Sequence, residues 1–68
     1  MIKKIINEDN AKVQVFENKY DGVQSEMRRV GDKFHVRLKD NDSGNYLPET
    51  RIFINADKAE IYAESLVR

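Results

Sequence analysis

The sequence has no cysteine and no tryptophan, and among its 68 residues only one proline, one histidine and three glycines. Without cysteine, disulfides, zinc–thiolate centres and iron–sulfur clusters are excluded. A chain this short buries only about 60% of the surface its unfolded form exposes. Many domains of this size add a disulfide or a metal to compensate. The routes left to this one are close packing and self-association.

Charge of one sign is also missing. Twelve Lys and Arg balance twelve Asp and Glu, for a formal net charge of +0, which argues against a general polyanion binder. There is no long hydrophobic run. The apolar stretch at the start is broken by Lys3 and Lys4 and stops at Asn7-Glu8. It has no signal-peptide core, and nothing approaches the length of a membrane span. The expected location is cytoplasmic, so the formal glycosylation match at Asn41-Asp42-Ser43 carries no weight. Hydrophobic residues still make up 40% of the chain, enough to exclude a disordered polymer.

The clearest unit surrounds Gly31-Asp32, a pair suited to the positive-φ turns of tight hairpins. A two-residue loop there sets Val30 opposite Lys33, Arg29 opposite Phe34, and Arg28 opposite His35. Met27 then faces Val36, Glu26 faces Arg37, and Ser25 faces Leu38. Side chains alternate between faces along a strand, so Val23, Met27, Phe34, Val36 and Leu38 share one face. Gln24, Glu26, Arg28, Lys33, His35, Arg37 and Lys39 share the other. That separation fits a sheet buried on one side. Arg29 on the apolar face and Val30 on the polar face are the two misfits.

The second unit is a C-terminal helix over about residues 56–67. Asn55 is a good N-cap, and Asp57 in the first turn suits the helix dipole. Ile54 is placed to staple to Ala59. Ala56, Ala59, Tyr62, Ala63, Leu66 and Val67 form a stripe at helical spacing, with Ile61 on the opposite side facing water. Residues 40–45 form a polar turn. Pro48 is excluded from a central strand, residues 51–54 read as a short strand, and residues 12–16 alternate as another. Residues 2–6 fit either an edge strand or a tail within residues 1–11.

The expected fold is therefore α+β: one domain, a small antiparallel meander of three to five strands, with the helix on one face. The expected covered set is Val13, Val15, Met27, Val36, Leu38 and Ile52. This order of elements resembles that of many small bacterial and phage proteins, and it brings no functional residues with it.

Catalytic chemistry is not expected. His35 is the only histidine, and the hairpin register turns it outward between Lys33 and Arg37, with Glu26 the only nearby carboxylate. A calcium loop starting at Asp40 would need a ligand at Gly44, glycine at Asn45 and glutamate at Arg51, so an ordinary Asx-rich turn is the better reading. The three glycines are too scattered for a phosphate cradle. No metal and no cofactor is expected.

Two binding readings remain. Residues 23–39 carry five cations (Arg28, Arg29, Lys33, Arg37, Lys39) against two acids, whereas residues 40–57 carry four acids against Arg51. A basic hairpin face made of Arg28, Lys33, Arg37 and Lys39 would suit nucleic-acid phosphates, although it lacks a stacking aromatic because Phe34 points inward. The preferred reading is a protein-binding module: a homodimer, or an accessory or inhibitory factor. If Val13, Val15 and Ile52 lie under the helix, Phe16 and Phe53 fall on the open face with His35 and Arg37. Together with exposed Ile61, that aromatic and arginine patch resembles a protein interface. The alternative is that Ile2, Ile5 and Ile6 fold over the two rings as a second small core.

Overall fold

Alternating apolar residues on either side of a Gly-Asp loop can bury one face only by pairing as strands, and the hairpin they form organises the sheet. The computed structural model describes residues 2–8, 11–18 and 22–67. Its elements are β1 (Ile2–Glu8), β2 (Ala11–Asn18), β3 (Val23–Val30), β4 (Lys33–Asp40), β5 (Tyr46–Phe53) and α1 (Ala56–Ser65). The strands form an antiparallel meander in the order β1-β2-β3-β4-β5, and α1 packs on one face against β3, β4 and β5. All six hairpin pairs expected from the Gly31-Asp32 loop are present. Gly31 lies at φ 65, the left-handed region that a side chain would strain.

The ambiguous first segment is a strand, paired with β2 along all seven of its residues. β5 is longer than the four-residue strand expected. It runs along the far edge of the sheet, where Pro48 has no ladder bond to break.

The helix starts as its sequence dictates. Asn55 Oδ1 accepts a hydrogen bond from Lys58 N at 3.0 Å. The contact stripe is narrower than expected. Ala59, Ala63 and Val67, spaced four apart, are fully buried, while Tyr62 and Leu66 flank them half-buried. Small alanine side chains let the helix backbone come close to the strands. Buried Ser25 donates from Oγ to the carbonyl of Ala63 at 2.7 Å, pinning the last turn to β3. Ala56 is exposed, and Ile54, at 81% exposure, makes no staple. Ile61 faces water as expected.

The core corrects one expectation. Beneath the helix lie Phe16, Met27 and Val36, flanked by Val23, Phe34, Leu38 and Phe53. Val13, Val15 and Ile52 are on the other side. The pairing between β2 and β3 decides this. Phe16 stands opposite Ser25 and Gln14 opposite Met27, so they share the hairpin's apolar face. Val13 and Val15 stand opposite Arg28 and Glu26 on the polar one. At β5, Phe53 faces Phe34 and Ile52 faces His35. A phenylalanine ring buries far more apolar area than a valine, and the helix covers the two rings. Neither the open-face aromatic patch nor a second core under Ile2, Ile5 and Ile6 exists; those isoleucines are exposed on β1.

Val13 and Val15 are nevertheless almost inaccessible, at 0% and 5%. On their face they are hemmed in by Ile6 and Arg28 and by Lys4 and Glu26. Long side chains cover apolar neighbours with their methylene stems. The middle of β2 is thus buried on both sides, by the helix over Phe16 and by charged residues over Val13 and Val15.

Candidate interface on the open sheet face

The face opposite the helix carries an ordered polar network. Glu26 of β3 is at its centre, with its side chain only 5% exposed. Tyr46 of β5 donates its hydroxyl hydrogen to Glu26 Oε2, reaching across β4. Arg37 of β4 pairs with Glu26 in register, its Nη2 3.6 Å from Oε1. The Arg37 guanidinium lies 3.6 Å from the centre of the Tyr46 ring, a close cation–π contact. Lys39 Nζ approaches the same ring at 5.6 Å. Oε1 is buried and accepts no hydrogen bond among the described residues.

A second charged pair extends the network over β2. Arg28 Nη2 donates to Glu8 Oε1 of β1 at 2.7 Å, passing over small Ala11, which stands opposite Glu8. The Arg28 guanidinium, first by this hydrogen bond and then by its charge, holds the Glu8 carboxyl below its ordinary value. The hydrogen bond to Glu26, followed by burial, raises the Tyr46 phenol above its ordinary value.

Between these pairs lies a concavity of about 230 Å³ lined by Glu26, Arg28, Val30, His35, Arg37 and Thr50. His35 is half-buried, with Arg28 opposite on β3 and Ile52 opposite on β5. Val30 and Ile52 flank it at 46% and 54% exposure. A smaller hollow of about 100 Å³ lies on the helix side, where Leu47 and Arg51 meet Tyr62 and Leu66.

The expected partner-binding residues do not come together. Phe16 is fully buried, and Phe53 packs against Tyr62 with ring centres 5.3 Å apart. Ile61 is on the outer side of the helix. Only His35 and Arg37 are on the open face. The expected basic residues Arg28, Lys33, Arg37 and Lys39 do share that face, but Arg28 and Arg37 are engaged with carboxylates. Val30, Thr50, Ile52 and Tyr46 were not among the expected site residues. Tyr46 follows a turn, so its face depends on pairing that no local pattern reveals. Val30 was already placed on the polar face by the hairpin register, and that misfit was the available signal.

The loop after β4 is an Asx turn. Asp40 Oδ1 accepts from the amide of Asp42 at 3.0 Å, and Oδ2 accepts from Ser43 Oγ at 3.3 Å. Among the described residues no cluster of three His, Cys, Asp or Glu side chains could hold a metal ion. No helix among them is long and apolar enough to cross a membrane. In comparisons with known proteins the chain matches no family model, no curated protein and no solved structure.

Proposed function

We propose that this chain is a non-enzymatic protein-binding module, an accessory or inhibitory factor whose recognition surface is the open face around His35. One observation carries the reading: exposed Val30 and Ile52 flank His35 beside a concavity walled by two arginines that are already held in place. Interfaces enrich apolar and arginine side chains at their centres. Arg28 on Glu8 and Arg37 on Tyr46 lose little further freedom when a partner arrives, which lowers the cost of binding. The residues directly opposite His35 on the two flanking strands are Arg28 and Ile52, neither of which can orient an imidazole for general acid–base chemistry, and the nearby Glu26 carboxylate is engaged by Tyr46 and Arg37.

Photo-crosslinking in the native host tests this. A crosslinking residue at position 52 should trap a defined protein, and one at position 61 on the helix should not. The same protein trapped equally from both positions, or none from position 52, sinks the reading.

A nucleic-acid ligand is the second reading, supported by Tyr46, an aromatic among Arg37 and Lys39 on the basic face. Stacking and phosphate contact would then act together. Titration with single- and double-stranded DNA and RNA at two salt concentrations separates the two readings. The carboxylates of Glu8 and Glu26 beside the arginines disfavour this one.

A further inference from the structure

We infer that the outer edge of β1 is a self-association site, where a second copy of this chain pairs antiparallel through the same strand. The inference is independent of what the open face binds.

Backbone parity locates the unsatisfied groups. The residues flanking a two-residue hairpin loop exchange their backbone hydrogen bonds, and such pairs recur at every second residue. Starting from Val30 and Lys33, the even-numbered residues of β3 bond to β4. Its odd-numbered residues therefore bond to β2, and the odd-numbered residues of β2 bond to β1. Carried to β1, Ile2, Lys4, Ile6 and Glu8 direct their amides and carbonyls inward. Lys3, Ile5 and Asn7 direct theirs out of the sheet.

Edge strands usually guard such groups with charge, above all with lysine. Here the charged side chains of β1 are all drawn back over their own sheet. Lys3 Nζ is 2.6 Å from Glu60 of the helix, lying over the Phe16 ring. Lys4 Nζ is 2.9 Å from Glu17 of β2. Glu8 is held by Arg28 of β3. All seven residues of β1 are exposed, but with the charged tips held by these pairs the apolar side chains presented at the edge are Ile2, Ile5 and Ile6, exposed by 44%, 63% and 40%. The opposite edge is guarded: β5 contains Pro48, which has no N–H, and its pairing with β4 is interrupted between Arg37 and Lys39.

The strand is complementary to itself. Ile5 is the middle of its seven residues. Placed against Ile5 of a second copy, it brings Lys3 opposite Asn7, Lys4 opposite Ile6 and Ile2 opposite Glu8. No like charges stand directly opposite each other, and the diagonal neighbours of Lys4 are the second copy's Glu8, which attracts it, and the second copy's Lys4, which repels it, both within reach of long side chains. The outward groups of Lys3, Ile5 and Asn7 are symmetric about Ile5, so each finds its complement in the other copy. With one usable edge per chain, pairing closes at two copies instead of growing into a fibre. The two-fold axis runs through the sheet, leaving both helices on one side and both open faces on the other. A contact of one strand's length belongs to the small, transient class of interface, below roughly 1,200 Å², so the dimer depends on concentration.

Sedimentation from micromolar to millimolar concentration, with amide exchange followed by NMR, tests the inference. The expected result is a dimer that grows with concentration. The amides of Lys3, Ile5 and Asn7 should become protected only as it forms, while those of Lys4 and Ile6 are protected throughout. Ile5→Pro removes an outward N–H and no ladder bond, so it should abolish the dimer and leave the inner amides protected. Ile5→Lys, which sets two ammonium groups face to face, should abolish it as well and guards against a fold-specific effect of proline. A monomer at millimolar concentration overturns the inference. So does a dimer that survives Ile5→Lys, or one that forms without protecting Lys3, Ile5 and Asn7.

Discussion

Tyr46 and Glu26 are joined by a hydrogen bond although a whole strand, β4, runs between theirs. The bond ties the β5 edge to the middle of the sheet on the side the helix does not reach. It also supplies a hydrogen-bond donor to a carboxylate that is almost wholly buried.

Tyr46→Phe removes that donor and leaves a second buried oxygen without a partner. Such a loss costs about 1–3 kcal/mol, and urea unfolding should show it directly. The phenol titrates higher in the folded chain than its ordinary 10.0. Its stabilising contribution is therefore complete below pH 10.0 and is lost as pH rises through the higher folded value. Stability of the wild type should fall in that alkaline window more steeply than that of the variant. Equal slopes would show that the phenol is not linked to folding.

Glu8 gives the opposite sign at the acid end. Arg28 holds its carboxyl below the ordinary 4.5, so its contribution is present above that value and disappears as pH falls through the folded one. Glu8→Gln should flatten the acid limb of a plot of urea midpoint against pH while leaving the neutral-to-alkaline part unchanged in shape. The pair is open to solvent, so added salt should shrink the difference.

The placement of the core on the helix side is tested by a pair of truncations, one on each face. Phe16→Ala should cost about 3–5 kcal/mol, enough to unfold much of so small a domain. Ile52→Ala, at a half-exposed position on the open face, should change stability by about 0.5 kcal/mol or less. A larger loss at Ile52 than at Phe16 would place the core on the other side of the sheet.

Ser25→Ala removes the hydroxyl that docks the last turn of α1. The carbonyl of Ala63 still receives the amide of Leu66 at 3.3 Å, so the expected cost is modest, about 0.5–1.5 kcal/mol. Hydrogen exchange should quicken at residues 64–67 more than in β3. A uniform change across the chain would mean that the bond does not anchor the helix end.

The hairpin and the helix start were legible in the sequence because their signals are local. Gly31-Asp32 fixes the parity of two strands at once, and Asn55 caps its own helix. The faces of β2 were not legible. Val13, Val15 and Phe16 are all apolar, so alternation within the segment offers two opposite answers, and only pairing with β3 selects one. The first half of β5 is not legible because Tyr46, Leu47, Glu49 and Thr50 are exposed and show no period. For the site, the hairpin register already grouped Arg28, His35 and Arg37, while Tyr46 and Glu8 joined them through contacts that span an intervening strand.

The double burial of β2 bears on how that strand keeps its alignment. A strand with one oily side is locked against slipping by one residue, because the slip would turn its apolar set to water. For β2 a slip would exchange Val15 for Phe16, apolar for apolar, so what resists it is the larger area of the ring, which the helix covers. Glu8 clasping Arg28 over the top of β2 and Lys4 reaching Glu17 mark the same alignment on the open face, and being open to solvent they add little to it. In this protein one buried ring decides which way a whole strand faces, and the surface charges follow it.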